Sequence, residues 1–156
     1  MSSRKGGVSA IPQGYHAITT YLVVDNAAKL IDFMRKAFDA KDEGTTTTPD
    51  GKIGHAALKI GDSHLMVSDT MQGMPAHTAM LYLYVQDADA VFKRAVAAGA
   101  KSVKEPADQF YGDRAGCLTD LAGNTWWIAT HIEDIPHDEM QRRAKQSMGG
   151  GHQQKH

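Results

Sequence analysis

The sequence predicts an α+β fold built from two βαβββ modules. The order of strand and helix patterns occurs twice along the 156 residues, and three landmarks of the first copy return 62 positions later. These pairs are Asp25 and Asp87, Gly54 and Gly116, and Gly61 and Gly123. A lone unit of about sixty residues buries too little apolar surface and leaves its sheet edges bare. Two curved four-stranded sheets are therefore expected to pair, either within the chain or across a dimer, as an incomplete barrel around a cleft, the default ligand site.

The first module begins with "HAITTYLVV" (16–24), whose β-branched and aromatic residues predict a strand. In "DNAAKLIDFMRKAF" (25–38) the apolar residues recur at helical spacing, with Asp25 or Asn26 as the N-cap. Three strands are predicted to follow, in "EGTTTT", "KIGHAALKI" and "HLMVSD".

The linker "TMQGMPAHT" (70–78) precedes the second module. There "AMLYLYV" predicts a strand, "DADAVFKRAVAAG" a helix, and "KSVKEP", "AGCLTD" and "TWWIAT" three further strands. A short helix is expected after them, because Pro136 precedes acidic and then basic residues in the order that suits the helix dipole.

The domain organisation follows from these patterns. Residues 1–10 predict a flexible arm, and the Gly-, Gln- and His-rich residues 146–156 predict a disordered tail. Between them, residues 11–145 are expected to form a single domain of two repeats, 11–69 and 79–131, plus a C-terminal helix over 136–145.

Composition narrows the class of partner. The formal net charge is -1 and 22% of residues are charged, so neither nucleic acid nor an anionic membrane is an expected partner. The single cysteine, Cys117, excludes an internal disulfide framework and fits a reducing, cytoplasmic setting. The sequence has no continuous apolar run of the kind that predicts a signal peptide or a membrane-spanning helix. The expected partner is a small-molecule ligand.

Several segments together resemble a known family. They are "YHAITTYLVVDNAAKLIDFMRKAF", "GHAALKIGDSHLMVSD", "LYVQDADAVFKRAVAAGA", "QFYGDRAGCLTD" and "ATHIEDIPHDEMQRR". Over residues 11–145 the chain resembles the glyoxalase/bleomycin-resistance/extradiol-dioxygenase superfamily, also called the vicinal oxygen chelate fold, and within it the PhnB-like branch. The resemblance implies a cleft-bearing α+β barrel that is usually dimeric, so a homodimer is expected.

The resemblance also implies where a metal would be held. Metal-dependent members of the superfamily place a His, Gln or Glu on the first and last strands of each module. The corresponding positions here are Ile18, Leu65 or Met66, Met80 or Leu81, and Trp127. Hydrocarbon and indole side chains cannot replace a carboxylate or imidazole in a metal's coordination shell. No metal and no other cofactor is therefore predicted, which counts against the lyase, isomerase and dioxygenase activities of metal-dependent relatives.

The residues predicted to bind a ligand are mostly aromatic or polar side chains expected near the cleft. They are His16, Thr20, His55, Tyr82, Tyr111, Arg114, Trp126 and Trp127. Strand alternation sends Trp126 and Trp127 to opposite faces, so one of them must face the cleft. Arg114 can either clamp an anionic group or form a loop lock with Asp113.

Two further histidine interpretations stay open. His16 can act as a displaced ligand or general base if the first strand extends that far, or it is an ordinary residue at a strand start. His55 lies 62 positions before Cys117, and the pair can either face the cleft together or pack in the core.

The sequence favours a metal-independent small-molecule-binding protein with an apolar, aromatic cleft, and it assigns no catalytic residue. The alternative is a divalent-metal-dependent lyase, isomerase or dioxygenase of the glyoxalase type, with a site rebuilt from His16, His55 and His64. A third hypothesis is a cleft filled by side chains, in a protein that acts through its dimer surface.

Overall fold

The computed structural model describes residues 5–153, with side chains through Met148. Its elements are β1 (Thr20–Val24), α1 (Ala27–Phe38), β2 (Lys41–Thr47), β3 (Ile53–Ile60), β4 (Ser63–Asp69), β5 (Met80–Tyr84), α2 (Ala88–Ala97), β6 (Lys101–Asp108), β7 (Asp113–Thr119), β8 (Thr125–His131) and α3 (His137–Gln153). The chain divides into two compact units, residues 1–79 and 80–156. No helix among the described residues is long and apolar enough to cross a membrane.

The first unit is a four-stranded sheet in the order β1-β4-β3-β2, with β1 parallel to β4 and the other neighbours antiparallel. Alternate residues of its strands are buried on the side of α1, including Leu22, Leu58 and Val67, each 0% exposed. The face turned away from α1, here called the first open face, carries Tyr21 and Met66, which are neighbours across β1 and β4.

The second unit repeats this plan in the order β5-β8-β7-β6, with β5 parallel to β8. Helix α2 packs so closely on the sheet that a Cβ at Gly116 would lie 2.9 Å from both the Phe92 ring and the Pro106 nitrogen. Only glycine leaves room for that approach. The face turned away from α2, here called the second open face, carries Tyr82 and Trp127.

The predicted fold class is confirmed: both units are βαβββ, and the element order is the one that the sequence predicts. Differences lie at the element ends. β1 begins at Thr20, so His16 precedes the strand and is exposed. β7 begins at Asp113 and thus includes two residues that were expected in a loop. α3 continues to Gln153, through residues predicted as tail, whereas residues 1–4 and 154–156 lie outside the described range.

The structural offset between the modules differs from the 62 positions of the sequence landmarks. The first helical residues are Ala27 and Ala88, and 88 minus 27 is 61. The β3–β4 hairpin encloses two residues between Ile60 and Ser63, whereas the β7–β8 turn encloses three between Asp120 and Asn124. One extra turn residue shifts the register, and the 62-residue landmarks are therefore not structurally equivalent positions.

This register also corrects the proposed pairing of His55 with Cys117. Cys117 lies opposite Trp127, as Ala57 lies opposite Met66 on the first sheet. The counterpart of Cys117 in the first module is therefore Ala57 and not His55.

Candidate functional site

The most connected polar group on the second open face is the Asp113 carboxylate, whose side chain is only 4% exposed. Its Oδ2 accepts hydrogen bonds from the hydroxyls of Tyr82, at 2.6 Å, and Tyr84, at 2.8 Å. Its Oδ1 lies 2.8 Å from His131 Nδ1, across the paired ends of β7 and β8. Three side chains from two other strands thus converge on one buried carboxylate.

A tight turn places these groups. The Gly112 amide donates to the Gln109 carbonyl, and the Gln109 amide donates to the Asp113 carbonyl. Gly112 has a φ of 96°, and a Cβ there would collide with the Glu133 carbonyl oxygen. A glycine is therefore required at this turn, which sets Tyr111 beside Tyr82, with 3.4 Å between their hydroxyl oxygens.

The protonation states of the cluster follow from these contacts. Burial alone would raise the pKa of Asp113, but hydrogen bonds from Tyr82, His131 and Tyr84 outweigh it and lower that pKa. Burial and the Asp113 carboxylate raise the pKa of Tyr82, and the hydrogen bond to Asp113 raises the pKa of Tyr84. Near neutral pH the carboxylate is therefore ionised and both phenols keep their protons.

His131 joins the cluster to the segment after β8. Its Nδ1 faces Asp113, and its Nε2 lies 2.7 Å from Oδ1 of Asp134. These two hydrogen bonds raise the pKa of His131, that to Asp113 contributing most. The imidazolium is therefore favoured between two carboxylates.

Aromatic rings continue the site along the second open face. The Tyr82 ring stacks on the Trp127 indole with centroids 6.3 Å apart and an angle of 19° between planes. The Tyr84 ring lies 5.2 Å from that of Tyr82. Tyr82 is 42% exposed and Tyr84 59% exposed, so their faces remain accessible within this unit. The arrangement is suited to stacking on a planar group next to a fixed negative charge.

Three of the predicted ligand-binding residues therefore meet in one place: Tyr82, Tyr111 and Trp127. Trp126 faces the opposite side of β8, is 2% exposed, and donates from Nε1 to Asp120 Oδ2 at 2.8 Å. The sequence rule that separates the two tryptophans identifies Trp127 as the one on the second open face.

Arg114 also lies away from the aromatic cluster. Its guanidinium pairs with both carboxylate oxygens of Asp89 and with Asp108, and not with Asp113 as the loop-lock hypothesis required. It borders a groove of about 430 Å³ on the side of α2, whose lining includes Phe92 and Pro106. Strand alternation explains the separation, because Asp113 and Arg114 are neighbours on β7 and must face opposite sides.

The remaining predicted residues belong to the first unit. His55 Nδ1 lies 3.3 Å from the Tyr21 hydroxyl, with both residues on the first open face. Thr20 begins β1 on the side of Leu22, and His16 is exposed before the strand. These three residues are not brought together into one cluster.

The predicted set of ligand-binding residues did not include Tyr84, Asp113 or His131. Tyr84 was detectable, because the alternation in "MLYLY" places it on the same face as Tyr82. The contact between Asp113 and His131 depends on the register of β7 against β8, which the five residues between these strands do not reveal.

The metal positions implied by the resemblance contain no suitable donor set. Ile18 is 90% exposed before β1 and Met80 is 70% exposed, while Leu65 is buried on the α1 side. Trp127 is stacked on Tyr82. Among the residues that the structure describes, no group of three or more His, Cys, Asp or Glu side chains is placed to hold a metal ion. The described residues at the implied metal positions therefore do not fit a divalent ion.

Tandem βαβββ units, each a mixed four-stranded sheet with one helix packed against it, define a glyoxalase-type α+β protein. The chain belongs to the glyoxalase/bleomycin resistance protein/dioxygenase superfamily, whose family model matches residues 15–128.

The chain is also similar to individual proteins and solved structures. An uncharacterized protein of Mycobacterium bovis is 39% identical over 146 residues, covering 86% of this chain and 95% of the relative. The crystal structure of TioX from Micromonospora sp. ML1 is 25% identical with a TM-score of 0.61, covering 74% of this chain and 100% of that one. An Arabidopsis thaliana gene product of known structure is also 25% identical, with a TM-score of 0.60 and coverage of 74% and 98%.

Proposed function

We propose that this protein is a metal-independent small-molecule-binding member of the superfamily, from its PhnB-like branch. It binds a planar, largely apolar or aromatic ligand on the second open face. The observation that carries the proposal is the accessible layer of Tyr82, Tyr84 and Trp127 beside the buried Asp113 carboxylate.

The physical basis is that aromatic stacking supplies affinity without strong directional demands. Offset stacked rings contribute about 0.5–1.5 kcal/mol beyond the apolar area that they bury. Tyr82 and Tyr84 are already held by Asp113, so little side-chain entropy remains to be lost on binding. A rigid aromatic surface of this kind is suited to binding and does not itself require a reaction.

Assembly and location form part of the same proposal. A cytoplasmic homodimer is consistent with the single buried thiol, Cys117, and with the edge strands β2 and β6, whose residues are largely exposed. Sedimentation analysis should give twice the chain mass if the dimer forms.

Isothermal titration calorimetry with three bicyclic probes tests ligand binding: uncharged quinoline, cationic N-methylquinolinium and anionic naphthalene-2-sulfonate. At least one probe should bind with one-to-one stoichiometry, in the presence of EDTA as well as in its absence. Trp127→Leu should weaken that binding about tenfold, because a stacking loss near 1.4 kcal/mol corresponds to that factor.

The matched control is Tyr21→Leu, which removes an aromatic ring from the first open face, where Tyr21 is the counterpart of Tyr82. It should leave probe binding within about twofold of the wild type, since stacking acts only at contact distance. The proposal would be wrong if none of the three probes bound, if Trp127→Leu bound them as well as the wild type, or if EDTA abolished binding.

A further inference from the structure

The hydroxyl groups of Tyr82 and Tyr84 are arranged to accept hydrogen bonds from a ligand and not to donate them. Each phenol has one proton, and Tyr82 and Tyr84 both direct theirs at Oδ2 of Asp113. Their remaining lone pairs are then the groups available to a ligand. Tyr111 keeps a proton that it can give either to the Tyr82 oxygen, 3.4 Å away, or to the ligand.

The net charge of the cluster is negative, which also favours a ligand that donates hydrogen bonds or carries a positive charge. Asp113 and Asp134 contribute two negative charges, and a protonated His131 between them contributes one positive charge. The sum is 1 − 2 = −1, and it falls to −2 when His131 is neutral. The faces of aromatic rings are also negative, because of their quadrupole, and they attract cations.

The described basic residues on strands β6 and β7 lie away from Tyr84 and Asp113 or are paired with carboxylates. Arg114 is held by Asp89 and Asp108 on the side of α2. Lys101 and Lys104 lie on the edge strand β6, opposite Thr119 and Cys117. Since Cys117 is the neighbour of Trp127, Lys104 lies on the second open face, but two strands away from Trp127, at about 10 Å, and on the opposite side of it from Tyr82.

Arg143, on α3, approaches the turn that carries Tyr111, but carboxylates surround it. Its guanidinium pairs with Glu133 and Glu139 and also donates to the Phe110 carbonyl. Glu139 also pairs with Arg142, so two guanidinium groups and two carboxylates balance in this network near Tyr111.

From this combination we propose that the ligand of the second open face is an aromatic cation, with a quaternary or protonated nitrogen in or beside its planar ring. The ring stacks on Tyr82 and Trp127, and the cationic end lies toward Tyr84 and the Asp113 carboxylate. A protonated nitrogen would donate to the phenol oxygens, whereas a quaternary one would interact through charge and ring faces alone. The inference rests on the proposed binding function and specifies the chemical class of its ligand.

The three bicyclic probes separate this inference from the function on which it rests, because they have similar ring systems and differ in charge. N-methylquinolinium should bind about tenfold more tightly than quinoline, and naphthalene-2-sulfonate should bind most weakly. Asp113→Asn keeps an oxygen acceptor but removes the charge, so it should reduce the preference for the cation over quinoline to about twofold or less.

Asp134→Asn is the second variant, chosen because the Asp134 side chain is 99% exposed and its substitution should not disturb folding. It should reduce the cation preference about twofold. Quinoline binding as tight as that of the cation, or tightest binding of the sulfonate, would overturn the inference and leave the binding function standing. A cation preference unchanged in both Asp113→Asn and Asp134→Asn would also overturn it, whereas binding of none of the probes would remove both proposals together.

Discussion

The two units share their construction on the helix side and differ on their open faces. In each unit, a residue at the end of the last strand, β4 or β8, supplies a side-chain oxygen that accepts a hydrogen bond from the first amide of the helix. The Ala27 amide donates to Asp69 Oδ1 at 2.8 Å, and the Ala88 amide donates to Thr130 Oγ1 at 2.9 Å. An offset of 61 relates both pairs, since 88 − 27 and 130 − 69 are equal.

The open faces diverge from equivalent starting points. Tyr21 and Tyr82 are 61 positions apart, yet Tyr21 contacts His55 and Tyr82 contacts Asp113. On the first open face His64 is only 8% exposed, with Glu43 at its Nδ1 and the Tyr15 ring stacked on it at 4.1 Å. The first face thus covers His64 with its own chain and leaves Tyr21 40% exposed beside His55, while the second leaves two neighbouring rings, Tyr82 and Tyr84, exposed beside a buried carboxylate.

This difference shows which part of a duplicated module is free to change. The helix side must bury apolar side chains at close-packed density, so a substitution there costs stability. An open face carries no such requirement until it binds something. Polar and aromatic side chains can therefore differ between the units without loss of the fold, and the second unit has used this freedom to assemble a charged aromatic surface.

The largest effect that tests this comparison is expected from Asp113→Ala. It removes a buried carboxylate that holds two phenols and an imidazole, so it should lower the free energy of unfolding by about 3 kcal/mol, the upper range for hydrogen bonds to a charged group. Urea unfolding followed by circular dichroism measures this change.

Asp134→Ala is the matched control, because it removes the other carboxylate on His131 from a side chain that is 99% exposed. Its effect should stay within about 0.5 kcal/mol, as for other exposed ion pairs. Equal effects of the two substitutions would mean that Asp113 does not organise the second open face.

A smaller effect on the free energy of unfolding is expected at the helix-capping oxygen, a feature that the two units share. Asp69→Ala should cost about 2 kcal/mol and Thr130→Val about 1 kcal/mol in urea unfolding, the range for loss of a helix-capping oxygen. Each side chain makes a second hydrogen bond, Asp69 Oδ2 from the Ile53 amide at 2.7 Å and Thr130 Oγ1 to the Val85 carbonyl at 2.8 Å. Asp69 is expected to matter more because both of its bonds are to a charged carboxylate.

Asp25→Ala is the control for this pair, since Asp25 precedes α1 but bonds the Thr70 hydroxyl and not a helix amide. It should change stability by less than about 0.5 kcal/mol, like most exposed substitutions. A loss at Asp25 as large as that at Asp69 would contradict the shared capping role.

Much of this fold could be predicted from sequence because it depends on local patterns. Helical spacing in "AAKLIDFMRKAF" and alternation in "MLYLY" follow from the geometry of single elements. The superfamily was identified from whole segments, and the family model confirms it. The helix cap was less predictable. Asn26 is the N-cap residue of α1, with a φ of 63°, but its side chain makes no capping hydrogen bond. Asp69, 42 residues after Ala27, supplies the capping oxygen instead.

The site was less predictable because it depends on register. A one-residue shift between strands sends a side chain to the other face, and Asp113 and Arg114 illustrate this directly. Arg114 was one of eight predicted ligand-binding residues, yet it lies with Asp89 on the side of α2, and its neighbour Asp113 holds the second open face together. Amino-acid composition does not reveal which of these two neighbouring residues faces each side of the sheet.

The smallest expected effect concerns pH and His131. Its pKa in the folded protein is raised, chiefly by Asp113 and then by Asp134. A raised histidine pKa adds stability that is fully present below the unfolded value of about 6.5 and is lost as pH rises through the folded value. The melting temperature of the wild type should therefore exceed that of His131→Gln most at pH 5.5, and the difference should shrink by pH 9. Proton NMR titration should place the His131 pKa above that of a histidine in a model peptide, and the pKa should be lower in Asp134→Asn than in the wild type. A melting-temperature difference that grew with pH would show that the imidazolium is not held by the Asp113 carboxylate.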